Sequence, residues 1–283
     1  MSIGIAAALD RNGDKIGRNG ASDTMCLILL VWRAHSHYPL VLAANRDEYH
    51  VRPSAAAAWW PGPAGMLAGR DLEQGGTWLG VSRRGRFAAL TNYRDPAARR
   101  PDAPSRGMLV AETLESGGSI FETLVHLREV GPHYNPFNMI FCDGERLGVF
   151  ESVRGEGREL GPGIFGLSNH LLDTPWPKVE NAKSRLVKAL TDRGDEGEIL
   201  RLLRDDRPAP DADLPSTGIR LEWERLLSSA FVRADDYGTR CSTVFRVDRE
   251  AHARFDEWSW DRAGQESGRR TYRFEVLRAK GAP

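Results

Sequence analysis

Apolar segments in this chain come in adjacent pairs separated by a few turn-forming residues, and that spacing restricts the fold more than any single motif does. Residues 26–33 and 38–44 are two such runs, with His35 and Ser36 in the short connection between them. Residues 77–81 and 86–92 flank Arg84-Gly85, and residues 138–143 and 146–151 flank Asp143-Gly144. Each pair reads as an antiparallel hairpin, and in the second and third a glycine in the turn supplies the backbone freedom that a tight connection needs. Helical spacing follows. Ser105 is placed to cap a helix over 106–115, in which Met108, Leu109, Ala111 and Leu114 share a face. Phe121, Leu124, Val125 and Leu127 predict a second helix over 119–130. A short strand over 164–168 ends at Asn169, helices are expected over 178–191 and 197–204, and strands over 242–247, 255–260 and 271–277 close the chain. Pro-rich loops separate these elements at 96–104 and 207–218. The order of strands, helices, strands, helices, strands suits stacked antiparallel sheets covered by helices, an α+β class, better than alternating βαβ units.

Composition narrows the function classes. Lys plus Arg equals Asp plus Glu at 39 each, so no global field draws the chain to nucleic acid or to an anionic membrane. The longest apolar run, behind Met25-Cys26, is too short to span a bilayer, and no integral membrane segment is expected. Three cysteines without CxxC spacing argue against a disulfide framework or a structural zinc. The seven histidines lack metal spacing apart from His35-x-His37 in a short turn, so no metal site is expected. Residues 1–24 are rich in Gly, Asp and Asn and read as a flexible arm outside a single domain over 25–283: an upstream start, a propeptide or an appended remnant. The Ala-, Arg- and Gly-rich composition and the absence of a secretory pattern point to a cytoplasmic location.

Two features carry chemistry. Met25-Cys26 stands at the head of the first strand. If the chain is trimmed so that Cys26 comes first, one residue holds both a nucleophile and an α-amine of pKa about 7.7–8.0, near enough to neutrality to accept the thiol proton. A cysteine there is equally an ordinary small buried hydrophobe. The second feature is Ala44-Asn45-Arg46-Asp47-Glu48 at the end of the second strand. Alternation puts Asn45 and Asp47 on one face and Arg46 and Glu48 on the other. The first hairpin is expected to bring Asn45 and Asp47 beside Cys26, where a carboxylate can hold a protonated amine.

Residues 45–48, Asn-Arg-Asp-Glu, together with the Met-Cys opening, resemble the NRDE family, also called the transport-and-Golgi-organisation-2 family. The resemblance continues through Ala68-Gly69-Arg70-Asp71, Gly75-Gly76-Thr77-Trp78-Leu79-Gly80, Leu90-Thr91-Asn92-Tyr93-Arg94, Ser105-Arg106-Gly107, Asn135-Pro136-Phe137-Asn138, Leu167-Ser168-Asn169 and Tyr237-Gly238-Thr239-Arg240. That family in turn is similar to cysteine N-terminal-nucleophile hydrolases, which implies a four-layer αββα sandwich of two antiparallel sheets flanked by helices. Carried over residue by residue, the resemblance implies Cys26 as nucleophile and Asp47 as partner of the amine. Asn92 would donate to an oxyanion, Asn169 would orient the amine or substrate, and Arg240 would steady charge near the thiolate.

The chain departs from the hydrolase pattern at two places. Position 44 is alanine where those enzymes carry an arginine, and Arg46 is expected on the opposite strand face, unable to replace it. The arm also precedes Cys26. The family's links to haem mobilisation and to acyl-CoA or lipid homeostasis imply instead a carrier for an apolar ligand with acidic groups. Under that expectation Asn45, Arg46, Trp78, Arg94, Arg106 and His170 bind the ligand, and haem is a possible cargo with no cofactor required. The alternative is hydrolysis of a carbon–nitrogen bond in a linear amide through an acyl-Cys26 intermediate. Of the remaining residues, His50, His126, His133 and His170 are equal candidates for a haem ligand, and the arginines of 94–106 read as a solvated basic patch. Trp59, Trp60, Trp78 and Trp176 either line a groove or pack, and Cys142 and Cys241 read as buried and inert.

Overall fold

The computed structural model describes residues 26–190 and 196–277, so the arm over 1–24 and residue 191 of the third expected helix lie outside the described residues. The first hairpin forms as its apolar runs predict, with β1 (Cys26–Trp32) antiparallel to β2 (Leu40–Tyr49). A long late strand, β11 (Tyr237–Val247), pairs with β2 on its other side. β10 (Gly163–Leu167) pairs with β1, and β12 (His252–Trp260) and β13 (Glu266–Glu275) extend the far edge into a six-stranded antiparallel sheet of order β10-β1-β2-β11-β12-β13. The middle of the chain builds a second sheet in simple sequence order from β3 (Ser54–Trp59), β4 (Met66–Asp71), β5 (Leu79–Ser82), β6 (Phe87–Asn92), β7 (Phe137–Cys142), β8 (Leu147–Glu151) and β9 (Glu156–Leu160).

The period-2 alternation of these strands sorts side chains into separate cores. Ile28, Leu30, Leu42 and Ala44 from the first sheet meet Val81, Phe87, Ala89 and Val149 from the second, so the sheets stack face to face. The odd-numbered residues Leu27, Leu29, Val31, Val41 and Ala43 point outward against α3 (Pro177–Ala189) and α4 (Glu196–Leu203), through Val179, Ala182, Leu186, Ile199, Leu202 and Leu203. On the other side, Ala88, Leu90, Met139 and Phe141 pack against α1 (Gly107–Ser116) and α2 (Ile120–Val130). The result is the four-layer αββα order. Each leucine in these layers is worth about 2–5 kcal/mol on truncation to alanine.

Several elements differ from the sequence reading. α2 starts as expected, on a capping box in which Ser119 Oγ accepts from Glu122 N at 3.3 Å and Glu122 Oε2 accepts from Ser119 N at 2.8 Å. α1 does not start at Ser105. Its N-cap is Arg106, already helical and without a side-chain cap, because the chain enters under the carbonyl contact between Thr77 N and Gly107 O. β3 and β4 were not legible, since a run of alanines has neither the alternation nor the branched residues of a strand and a glycine interrupts β4. The polar edge strand β9 and the short helix α5 (Leu221–Leu226) escaped for the same lack of pattern. Among the described residues, no helix is long and apolar enough to cross a membrane.

Candidate functional site

The register of the first hairpin decides which side chains surround Cys26. Cys26 pairs directly with Arg46, and Arg46 pairs on its other side with Cys241 of β11. Residues opposed across a ladder share a face, so Cys26, Arg46 and Cys241 form one row on the inner face. Arg46 therefore lies beside Cys26 and not away from it, correcting the expectation from sequence; Cys241 is buried, as expected, and stands in the same row. Asn45 and Asp47 lie on the outer face, toward the helices. The amide of Asn45 is consumed there: its Nδ2 donates to the carbonyls of Leu203 and Ala230, each at 2.7 Å, and its Oδ1 accepts from Ser242 Oγ at 2.6 Å. It ties β2 to the neighbouring strand and to the helix layer.

Asp47 remains close enough to Cys26 to act on the thiol electrostatically. Its carboxyl, 1% exposed, accepts from Thr239 Oγ1 at 2.6 Å. Burial pushes that carboxyl up to about 7, against the opposing pull of Lys178, the Thr239 hydrogen bond and Arg46. Lys178, in the first turn of α3, is its electrostatic partner. Burial and the neighbouring Arg94 push the Lys178 ammonium down to about 8, while Asp47 and Cys26 draw it up. The Cys26 thiol is pushed up to about 12, first by burial and then by Asp47, with Arg46 pulling the other way. At neutral pH it is a thiol, not a thiolate.

Asn169 joins the two sheets at this point. Its Oδ1 accepts from the Cys26 N–H at 3.4 Å, and its Nδ2 donates to the Asn92 carbonyl at 2.9 Å. Ser168 Oγ donates to the Cys26 carbonyl at 3.0 Å. The backbone of Cys26 is thus gripped from β10's end while Asn92, 5% exposed, terminates β6 just across the gap. Cys26, Asp47 and Asn169 come together, and Asn92 joins them through its backbone carbonyl, which Asn169 holds. In this chain the Cys26 nitrogen that meets Asn169 is a peptide nitrogen.

Arg240 is placed differently. The register of β11 against β2 slips between Thr239 and Cys241, leaving Arg240 as the extra residue of a β-bulge. The bulge turns its guanidinium onto the turn after β2, where Nη1 donates to the carbonyls of Tyr49, His50 and Arg52 at 2.9, 3.3 and 3.1 Å. The cation directly opposite Cys26 is Arg46. Its guanidinium stacks 4.5 Å above Trp78 and meets Glu48 at 3.4 Å, while its buried Nη1 has no hydrogen-bond partner. Trp78 fits only because residue 69 is glycine: a Cβ there would lie 2.3 Å from the indole.

Arg94 is not part of a solvated patch. Its side chain is 2% exposed, pairs with Glu224 at 2.5 Å and lies 4.7 Å over Trp176. Arg106 donates to the Pro136 carbonyl at 2.9 Å and braces the start of α1. His170 Nδ1 meets Thr174 Oγ1 at 2.8 Å, and its ring lies between Tyr93 and Trp176. The tryptophans resolve as packing with guanidinium lids: Arg83 covers Trp59 at 4.1 Å and Arg70 covers Trp60 at 4.5 Å. Asp248, Glu250 and His252 approach one another at the β11–β12 turn, where Asp248 hydrogen-bonds the backbone and ring of His252.

Sequence reasoning missed Lys178, Thr239, Ser168 and Trp78's pairing with Arg46. Ser168 and Thr239 stood inside the blocks that carry the resemblance, next to Asn169 and Arg240, and Lys178 left a signal of its own. It follows Trp176-Pro177, a helix start, and occupies the stripe continued by Ala182 and Leu186, so a charge was due on the buried face of α3.

Residues 25–262 match a protein family described as Transport and Golgi organisation 2. A bovine Transport and Golgi organization protein 2 homolog is 39% identical over 262 residues, covering 83% of this chain and 93% of the relative. The human homolog is 35% identical, with 89% and 99% covered. Among solved structures, a Caenorhabditis elegans N-acylethanolamine-hydrolyzing acid amidase ortholog is similar over 77% of this chain and 92% of its own, at 12% identity and a TM-score of 0.43.

Proposed function

Because the chain belongs to the Transport and Golgi organisation 2 family, we propose that it binds and carries an apolar ligand bearing acidic groups, haem or an acyl-CoA or related lipid, at the inner-face row around Cys26. The observation that carries this reading is the Arg46 guanidinium. It is buried between the sheets beside Cys26 with one nitrogen lacking a hydrogen-bond partner. A buried N–H left unsatisfied costs about 1–3 kcal/mol. A carboxylate or phosphate oxygen from a ligand would recover that cost. A neutral thiol agrees better with a wall of a binding site than with a nucleophile in waiting.

The test is titration of hemin and of palmitoyl-CoA into the full chain and its variants. Arg46→Met should weaken binding of the productive ligand about tenfold or more, whereas Cys26→Ser should retain it. Unchanged affinity of folded Arg46→Met for both ligands refutes the reading. A second reading, an amidohydrolase acting through acyl-Cys26, is favoured by Asn169, which holds the Cys26 nitrogen, and by Asp47 beside the thiol. It requires a chain that begins at Cys26, so that the nitrogen held by Asn169 becomes an amine. Turnover of an N-acyl amide by such a trimmed chain, abolished by Cys26→Ser, decides for it.

A further inference from the structure

On the outer face, behind Asp47, a groove of about 420 Å³ runs between α3 and the segment that follows α4. Its walls carry three cationic side chains, Lys178, Arg185 and Arg207, against one carboxylate, Asp205. Asp205 is shared: Arg185 meets it at 2.5 Å and Arg207 at 2.6 Å, and this holds both guanidiniums along the groove. The wall opposite α3 is Pro208-Ala209-Pro210, whose prolines limit its backbone, fastened where Ala209 N donates to Ser228 Oγ at 2.8 Å.

The inner end is the first turn of α3, a helix of 13 residues. Its N-cap, Trp176, supplies no side-chain hydrogen bond, so the positive end of the helix dipole is left uncapped there. The second observation is Lys178. It is 5% exposed, lines the groove, and forms no hydrogen bond or close ion pair among the described residues. Asp47 attracts this ammonium without forming an ion pair or hydrogen bond with it among the described residues, and a buried ammonium with unfilled donors is costly unless something else meets it.

We propose that this groove is a binding site for a small phosphate-type polyanion, with Lys178 and the α3 N-terminus at its inner end and Arg185 and Arg207 at its rim. The chemistry favours phosphate oxygens, since a helix N-terminus and a lysine receive one phosphoryl group while an arginine fork receives another. The groove is separate from the inner-face row, as none of Cys26, Arg46 or Trp78 lines it. Its occupancy and the carrier reading therefore succeed or fail independently.

Calorimetric titration of the full chain with pyrophosphate tests the assignment. One equivalent should bind, and Asn181→Asp, which adds a negative charge on the exposed wall of the groove, should weaken binding about tenfold or more. Gln74→Glu makes the same change of charge in the turn between β4 and β5 and should leave affinity within about twofold, since exposed charges beyond about 10 Å are screened at ordinary salt. Arg207→Ser, at a largely exposed side chain, should weaken binding without unfolding the protein, and Lys178→Met should abolish it. If Lys178→Met fails to fold, Asn181→Asp and Arg207→Ser decide. Absence of binding, equal loss in Asn181→Asp and Gln74→Glu, or citrate binding as tightly as pyrophosphate would each overturn the proposal.

Discussion

Replacing Asp47 by asparagine should make the protein more stable at neutral pH, not less. The Asp47 carboxyl is 1% exposed and is pushed from its ordinary 3.8 up to about 7, mainly because burial removes its hydration. In the unfolded chain it ionises near its ordinary value, so between these limits the native state holds a proton that the unfolded state has released. Stability from this group is therefore complete below pH 3.8 and is lost as pH rises through about 7. A gap of about three pH units at about 1.4 kcal/mol each amounts to something on the order of 4 kcal/mol.

The carboxamide introduced by Asp47→Asn mimics the protonated acid: its carbonyl can still accept from Thr239 Oγ1, which lies 2.6 Å from Asp47 Oδ1. Lys178 is charged next to either side chain at acid pH, so its contribution cancels in the comparison there. Urea unfolding of both proteins across the range from about pH 4 to about pH 7.5 gives two curves whose difference reports the Asp47 carboxyl together with its coupling to Lys178. The curves should meet at the acid end and diverge toward neutrality, with Asp47→Asn the more stable by up to about 4 kcal/mol. Parallel curves, or a variant less stable at neutral pH, would refute the account of Asp47 as a buried carboxyl retained at a cost.

Three further outcomes follow from the same geometry. The Cys26 thiol, pushed up to about 12, should react with iodoacetamide about three orders of magnitude more slowly than an unperturbed thiol at mildly alkaline pH; mass analysis of partly labelled protein reads this directly, and rapid labelling of Cys26 in the folded chain would contradict it. Gly69→Ala drives a Cβ to 2.3 Å from the Trp78 indole, so it should cost about 1–3 kcal/mol and disturb the Trp78–Arg46 stack; near-ultraviolet circular dichroism and thermal unfolding identical to the parent would show that the indole does not sit on residue 69. Glu224→Gln removes the negative charge that the buried Arg94 guanidinium meets at 2.5 Å and should cost about 3–5 kcal/mol in denaturant unfolding; a loss below about 0.5 kcal/mol would mean that water reaches Arg94.

Local pattern carried much of the fold. The runs over 26–33 and 38–44, the turn at Arg84-Gly85 and the Ser119 capping box act through neighbours a few residues apart, and each appears where its chemistry demands. The resemblance of residues 45–48 and 167–169 to one family singled out Cys26, Asp47, Asn92 and Asn169 as candidates from the sequence. Alanine-rich β3 and the polar edge strand β9 had no such pattern, because they are strands through their partners and not through their own side chains.

What only the tertiary structure decided is who faces whom across a ladder and what burial does to charge. A one-residue change of register moves every side chain to the other face, so no local rule could put Arg46 rather than Asn45 opposite Cys26, or turn Arg240 aside at a bulge. Arg94 reads as solvated from its basic neighbours, yet Glu224, 130 residues away, makes it an interior ion. Lys178 shows why most plainly: its spacing marks the buried stripe of α3, but its charge acquires a role only when β2 sets Asp47 beneath it. Sequence determines propensity and polarity at each position; desolvation and Coulomb energies belong to pairs of positions, which only the folded chain brings together.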